Sequence, residues 1–211
     1  MADLKEDLQN ALKDLRENSK ERKFDQTVDL IVNLQKLDVK KNPINLFLNV
    51  PHKIKNKKIA GFLEIKNDKI DTITGSEFVL YKDKNSIKKL VNKYDFFIAQ
   101  ASLMPKVAST FGKVLGPAGK MPSPQLGIMM NVDDKTIEDL KKKINNNVKI
   151  RLKEASLKLP IGKQSMKDDD IIENVLAAYN AILNALPKNK NNVKNLEIKF
   201  TMSKPQKIKV E

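Results

Sequence analysis

The chain contains no cysteine and no tryptophan, and only 5% of its residues are aromatic. Without cysteine there is no disulfide, no thiolate metal site and no cysteine nucleophile. The scarcity of aromatic side chains argues against a stacking platform for single-stranded nucleic acid. No apolar run approaches the roughly 20 residues that a membrane helix needs, and the amphipathic N-terminus is not a secretion signal. These absences fit a cytoplasmic protein of ordinary globular composition.

Positive charge dominates what the chain does contain. Its 211 residues include 40 lysines and arginines against 26 acidic residues, a net charge of +14. A surplus of this size points first to a polyanionic partner, with a merely solvated basic surface as the alternative. Only Arg16, Arg22 and Arg151 are arginines. Because lysine acts as a point charge towards phosphate, whereas bidentate base contacts favour arginine, the composition indicates recognition of phosphates and shape, as in folded RNA.

Two kinds of β-strand are predicted from the hydrophobic periodicity. Near both ends of the chain apolar and polar residues alternate, as expected of strands with one buried face, over 28–34, 46–50, 148–153, 157–161 and 196–202. The last of these predicts that Leu196, Ile198, Phe200 and Met202 are buried together. In the middle, residues 59–65 and 96–101 are apolar on both faces, which is typical of parallel strands covered by helices.

Helices are predicted around and between these strands. Leucines at helical spacing mark an amphipathic helix over 4–15, and a long helix begins at Asp168 and ends before Pro187. The middle of the chain alternates strand and helix, which indicates an α/β unit. We therefore predict an α+β and α/β fold with two domains. A discontinuous α+β sandwich is formed by both termini, 1–57 and 148–211, and a Rossmann-like α/β domain, 58–147, is inserted. Two close crossings suggest a hinge.

The stretch LGPAGKMPSPQLG, residues 115–127, contains a Gly-Lys step but does not fit a phosphate-binding loop. The first glycine of that motif falls on Val114, and Met121 follows Lys120 where a hydroxyl is needed. Prolines exclude the helix that caps the phosphate. His52 stands alone, and the acidic run Asp168, Asp169 and Asp170 fits a helix N-terminus better than a metal site. No catalytic set, metal site or cofactor is predicted, and the stretch is interpreted as a rigid loop.

Five segments, in order and spacing, resemble the family of large-subunit ribosomal protein one: KFDQTVDLIVNL, DFFIAQASLMP, LGPAGKMPSPQLG, IGKQSM and FTMSKPQKI. The residues of the segments FFIAQ and GKMP resemble those of the archaeal members of this family. The resemblance implies a discontinuous two-domain protein that binds folded 23S-type ribosomal RNA in the mobile stalk beside the tRNA exit site. It also implies contact with exit-site tRNA and other large-subunit components, and repression of translation by binding its own messenger RNA.

The resemblance also implies which residues bind RNA. They are Lys23, Phe24, Thr27, Lys163, Ser165, Thr201, Met202 and Ser203. Lys23 is expected to neutralise a phosphate, Thr27 and Thr201 to offer hydroxyls, and Phe24 and Met202 to pack on sugars or bases. For these two apolar side chains, packing in the protein core is the alternative. The family usually has glycine in place of Ser203 and often arginine in place of Ala118, which weakens the expected contacts at those positions.

Three functions compete at this stage. The first is a structural RNA-binding component of the large ribosomal subunit. The second is a regulator or processing factor that binds structured RNA outside the ribosome. The third is a nucleotide-dependent enzyme that uses the α/β insert. Lys120 is not expected to be a primary RNA contact.

Overall fold

The computed structural model describes residues 2–20, 22–39, 45–81, 83–130, 132–152 and 154–208. Helices and several β-sheets confirm the predicted mixed α/β class. The chain divides into two compact units, a terminal unit of residues 1–55 and 146–211 and a central unit of residues 56–145. Both crossings lie two residues before the predicted ones. That these units are domains joined by a hinge stays a prediction, and each unit is described by itself.

The terminal unit contains two antiparallel sheets and two long helices. Its elements are α1 (Ala2–Asn18), β1 (Thr27–Leu34), β2 (Asn45–Asn49), β7 (Asn147–Arg151), β8 (Ser156–Lys163), α5 (Asp168–Ala185), β9 (Val193–Phe200) and β10 (Gln206–Ile208). The larger sheet has the strand order β10-β9-β1-β8, and β2 pairs with β7. Strand β1 is therefore central, although its two neighbours come more than 120 residues later in the chain.

The terminal unit has one hydrophobic core, formed in part by the apolar residues of the predicted alternating strands. Val28, Leu30, Val32 and Leu34 of β1 are buried, while the residues between them are partly exposed. They pack with the leucines of α1 and the apolar face of α5 in a single cluster. Pairing an alternating strand with amphipathic helices removes one whole face of the sheet from water, which is the main driving force for this arrangement.

The predicted burial of Met202 is wrong. Strand β9 ends at Phe200, whose side chain is buried, and the chain then turns, so that Met202 is 60% exposed. The turn closes with a hydrogen bond from the Ser203 amide to the Phe200 carbonyl, at 3.1 Å. Alternation along a strand no longer applies once the backbone leaves the ladder. In the central unit the predicted burial of Ile65 is wrong for the same reason, because β3 ends at Leu63 and Ile65 is exposed.

A buried amide joins α5 to the rest of the terminal unit. Asn174 accepts a hydrogen bond from the His52 amide at 2.9 Å and donates to the carbonyls of His52 and Ile161, at 3.0 and 2.9 Å. The imidazole of His52 lies 2.7 Å from Glu173. His52 is thus part of the packing between α5 and the segment after β2, and the same geometry satisfies an amide that is costly to bury unpaired.

The central unit is a parallel sheet between helices. Its elements are β3 (Ile59–Leu63), β4 (Asp71–Thr74), α2 (Lys84–Lys93), β5 (Phe96–Gln100), α3 (Met104–Leu115), β6 (Ile128–Met129) and α4 (Asp134–Asn146). All neighbouring strands are parallel, in the order β4-β3-β5-β6. Residues of β3 are buried throughout, as the doubly apolar sequence predicts.

The two faces of this sheet have separate cores. Phe62 and Phe97 pack with Phe111 and with apolar residues of α2 and α3 on one face. On the other face Ile98 packs with Ile137 and other apolar residues of α4. Helices α2 and α3 therefore cover one side of the central unit, and α4 covers the other.

The stretch 115–127 begins with a helix-ending turn. The amide of Lys120 donates to the Leu115 carbonyl at 3.0 Å, and the amide of Gly119 donates to Gly116 at 2.9 Å. Gly119 has φ of +69°, the left-handed conformation that this type of helix end requires. The Lys120 ammonium then donates to the carbonyls of Val91 and Tyr94, at 2.6 and 2.8 Å, and so neutralises the C-terminal end of α2. Lys120 thus holds helix α2 in place.

Replacing Gly119 by alanine is expected to lower the free energy of unfolding by about 1 kcal/mol, because a Cβ disfavours positive φ. Gly112 is the matched control, since it lies inside α3 and an added Cβ meets no atom within 4 Å. Gly112→Ala is expected to raise the free energy of unfolding by about 0.5–1 kcal/mol through helix propensity. Urea unfolding of both variants measures the difference. Equal effects of the two substitutions would contradict the helix-end role of Gly119.

Candidate nucleic-acid interface

Three segments that are distant in sequence meet at one edge of the terminal unit. We call them together the terminal patch: residues 23–27, 163–165 and 201–203. Strand β1 runs antiparallel to both β8 and β9, with Thr27 opposite Lys163 and Val28 opposite Phe200. The start of β1 therefore lies beside the ends of its two neighbours. All eight residues that the sequence predicts to bind RNA are in this patch.

Thr201 joins the third segment of the terminal patch to the first. Its amide donates to the Thr27 carbonyl at 3.0 Å. Its hydroxyl accepts a hydrogen bond from the Thr27 amide at 3.0 Å and lies 3.3 Å from the Thr27 carbonyl, to which it donates. The hydroxyl predicted to bind RNA is thus engaged within the protein, and its first effect is to fix the turn after β9 against β1. A contact between Thr201 and RNA stays a prediction.

Gln26 connects all three segments of the terminal patch. Its side chain is buried, with 2% exposure. The side-chain oxygen accepts a hydrogen bond from the Met202 amide at 3.1 Å, and the side-chain nitrogen donates to the Gln164 side chain at 3.2 Å. The Gln26 carbonyl also accepts from the Gln164 amide at 2.8 Å. A buried amide with both ends bonded rigidifies the groups that it joins. Gln26 therefore positions the exposed residues on either side of it.

Asp25 organises the residues at the end of β8. Its carboxylate accepts hydrogen bonds from the amide and the hydroxyl of Ser165, at 3.1 and 2.9 Å. The Lys163 ammonium donates to the Asp25 carbonyl at 3.3 Å. Ser165 is thus held by the protein, as Thr201 is, and its contact with RNA stays a prediction. Lys163 remains partly exposed and Lys23 is exposed, so the patch contributes two lysines that solvent reaches.

Arg16 ties helix α1 to the loop behind the terminal patch. Its guanidinium donates to the carbonyls of Gln164 and Met166, both at 2.9 Å, and to the carboxylate of Asp168 at 2.9 and 2.6 Å. Asp168 begins α5, so this acidic residue serves both the helix end and the arginine. The planar guanidinium makes several bonds of fixed direction, which a lysine does not.

Phe24 and Met202 are the large apolar side chains that the terminal patch exposes to solvent. Phe24 is 52% exposed and Met202 is 60% exposed, so neither is a core residue. The alternative of core packing is therefore wrong for both. Exposed aromatic and thioether groups flanked by ammonium groups suit a ribose or base beside a phosphate.

Ser203 does not need the conformational freedom of the glycine expected at its position. The non-glycine residues with positive φ in the described ranges are Lys36 and Asn189, so Ser203 has an ordinary backbone. Its hydroxyl accepts a hydrogen bond from the Phe200 amide at 2.9 Å. Ser203 therefore stabilises the turn that exposes Met202, and the Cβ of Ser203 causes no backbone strain in that turn.

The electrostatic setting of the terminal patch is positive on one side. A cavity next to Met202 is lined by Lys20, Arg22 and Lys204, with Leu15 in its apolar part. On the sheet, Asp29 lies two residues beyond Thr27 and opposite Lys199. Partial burial raises the pKa of the Asp29 carboxyl, and the charge of Lys199 acts in the opposite direction.

Comparison with known proteins identifies the family of this chain. Residues 15–204 match the model of the family described as ribosomal protein L1p/L10e. The chain belongs to this family. Relatives named large ribosomal subunit protein uL1 include that of Thermococcus kodakarensis, 37% identical over 219 residues and 99% of each chain. That of Thermoplasma acidophilum is 36% identical over 96% of each chain. That of Nanoarchaeum equitans is 33% identical over 87% of this chain and 91% of its own.

Family membership confirms the resemblance and the archaeal form predicted from the sequence. The uL1 relatives match nearly the whole chain, so the likeness includes both the terminal and the central unit. Within the described ranges, no helix combines the length and apolarity needed to cross a membrane.

Several residues of the terminal patch and its support were not predicted. Gln26, Asp25, Gln164 and Arg16 position its exposed side chains, yet neither their spacing nor the family resemblance assigned them a role. One signal was available: Asp25 and Gln26 are consecutive polar residues directly before an alternating strand, where a partner on a neighbouring strand is needed if either is buried.

Replacing Thr201 by valine is expected to lower the free energy of unfolding by about 1 kcal/mol, because the Thr27 amide is left without its acceptor. The same substitution should weaken binding to the family's ribosomal RNA target by about 1–3 kcal/mol, since the turn carrying Met202 is released. Thr201→Ser keeps the hydroxyl and should restore both values. Urea unfolding and filter binding measure them. If the valine variant had unchanged RNA affinity, Thr201 would have no role in RNA binding.

Proposed function

We propose that this protein is a structural, RNA-binding component of the large ribosomal subunit, bound to 23S-type ribosomal RNA through its terminal patch. In this proposal the terminal unit is the RNA-binding domain and the central unit is an inserted α/β domain. The protein works in the cytoplasm, on the ribosome. Neither a catalytic residue nor a cofactor is part of the proposal.

One observation carries the proposal. The exposed Phe24 and Met202 lie on two segments that are hydrogen-bonded to each other through Thr27, Gln26 and Thr201. Met202 stays exposed although its amide is bonded to Gln26, and Phe24 is exposed two residues before Gln26, so neither side chain contributes much to folding. A rigid patch loses less conformational entropy when it binds, and this favours a structured partner. The adjacent lysines supply the attraction to phosphate.

The position on the ribosome is a finer part of the proposal. We place the protein in the mobile stalk beside the tRNA exit site, where it contacts departing tRNA and other large-subunit components. We also propose that it represses translation of its own messenger RNA. The support is the family resemblance together with the rigid terminal patch. A rigid patch can bind both the ribosomal RNA and the messenger RNA only if the two present the same shape to it. The two RNAs should then compete for binding.

A nucleotide-dependent enzyme is disfavoured by the geometry of the central unit. In open parallel sheets, ligands bind at the carboxyl ends of the strands where the strand order reverses, here between β3 and β5. Glu64 lies at this point and accepts a hydrogen bond from the Ser102 hydroxyl at 2.7 Å. A carboxylate in this place repels a phosphate and occupies a donor that would bind it.

Phe24→Ala and Met202→Ala are each expected to weaken binding of the protein's own large-subunit RNA segment, defined by footprinting, by about 1–3 kcal/mol. Met130→Ala is the matched control, because Met130 is 87% exposed but belongs to the central unit. It should change the affinity by less than about 0.5 kcal/mol. Filter binding measures all three. A larger effect of Met130→Ala than of Met202→Ala would move the site to the central unit.

Sedimentation separates a ribosomal component from a free regulator of structured RNA. The full-length chain is expected to travel with large subunits at moderate salt, because several phosphate contacts act together. The double variant Phe24→Ala/Met202→Ala should be released at lower salt than the native chain. Recovery of the native chain only at the top of the gradient, with full binding to isolated RNA, would support the free regulator instead.

A further inference from the structure

One side of the central unit has an exposed surface of lysine and asparagine. On α2 the exposed residues are Lys84, Asn85, Lys88, Lys89, Asn92 and Lys93. The helix contains no acidic residue. Lys84 and Lys88 are one turn apart, as are Lys89 and Lys93, so the lysines form two adjacent rows with neighbours about 6 Å apart. Like charges at this spacing repel one another, and this destabilises the isolated helix.

Helix α3, which covers the same face of the sheet, extends this surface. Its charged residues are Lys106 and Lys113, both exposed, and the helix contains no acidic residue. Its other exposed residues include Ala108 and Ser109, which are small and leave the lysines prominent. We call the exposed residues of α2 and α3 together the lysine face.

The opposite side of the same unit is charged differently. Helix α4 carries Asp134, Glu138 and Asp139 among its lysines, and Glu138 pairs with Lys69. Its charges therefore largely cancel, as is usual for a solvated helix. A general excess of lysine in the chain would raise the net positive charge of both sides of the central unit alike. The contrast between the two sides is specific to the lysine face.

Acidic residues near the lysine face lie at the ends of α2 and beside Lys89 and Lys93, where Asp71 and Glu77 line the same cavity and Glu77 pairs with Lys66. Asp83 precedes the helix, and Asp95 follows it with its carboxylate accepting from the Lys58 amide at 3.1 Å. Asp71 accepts from the Tyr94 hydroxyl at 2.6 Å. Lys93 lies over the Tyr94 ring, 5.0 Å from its centre, and is the lysine of this helix with a defined contact inside the unit. Lys84, Lys88 and Lys89 extend along the rest of the helix.

We propose that the lysine face binds the sugar-phosphate backbone of RNA, as a second contact surface distinct from the terminal patch. This inference rests on the proposed function for the presence of RNA, and it adds a site on the other unit. Charge complementarity carries it: rows of ammonium groups on helices without acidic residues match a polyanion. Because lysine is a point charge and the face has no arginine, the contact is to phosphates and independent of base sequence.

The test uses the full-length chain and an RNA duplex of unrelated sequence, about 20 base pairs long, over a range of salt concentrations. The variant Lys84→Gln/Lys88→Gln/Lys89→Gln removes three charges from the lysine face. The control Lys135→Gln/Lys141→Gln/Lys142→Gln removes three charges from α4. Glutamine is a good helix former, so both variants should keep their helices, which circular dichroism checks.

The lysine-face variant is expected to flatten the slope of log affinity against log salt by about 1 for each phosphate that it no longer neutralises, and the control by much less. Equal slopes for the two variants would show a general charge effect and overturn the proposal. So would an unchanged duplex affinity accompanied by weakened binding to vesicles of anionic lipid. The Phe24→Ala/Met202→Ala variant, measured on the cognate RNA segment, tests the proposed function separately, because neither residue belongs to the lysine face.

Discussion

The pairing of β1 with both β8 and β9 is the constraint on which the terminal unit depends. The strand is central in its sheet, and its partners are supplied by the far end of the chain. This pairing fixes the register, and the register places the start of β1 beside the ends of both neighbours. Gln26, Asp25 and Thr201 then convert proximity into a rigid arrangement through hydrogen bonds. The exposed Phe24 and Met202 are consequences of this register, since each follows or precedes a strand end.

Lysines in this protein have different physical roles according to their surroundings. Lys120 is partly buried and caps the end of α2, so it serves the fold. Lys163 contacts the Asp25 carbonyl and stays partly exposed at the terminal patch. Lys84 and Lys88 are exposed on a helix without acidic residues. Net charge alone does not distinguish these cases. The position of each ammonium group relative to carbonyls and carboxylates does, and this decides which lysines are available to a polyanion.

Much of the fold was predictable because it depends on local periodicity. The alternation in Val28 to Leu34 and the doubly apolar Ile59 to Leu63 follow from which faces are buried. The burial of Met202 was predicted wrongly, because the pattern continues by chance beyond the point where β9 ends. The engaged hydroxyl of Thr201 was not predictable either, since its partner Thr27 is 174 positions away. Local patterns carry no information on such pairs.

Because the terminal unit is formed by both ends of the chain, it can be completed only after the central unit has been synthesised. The central strand β1 leaves the ribosome early, but β9, which completes one side of its sheet, ends at Phe200. The central unit, by contrast, is contiguous and has all its parts once residue 145 is made. A nascent chain that stops before Val193 therefore has an unpaired edge on β1 and no Thr201 to close the turn. Only a chain that is almost complete can therefore present the terminal patch as one joined surface.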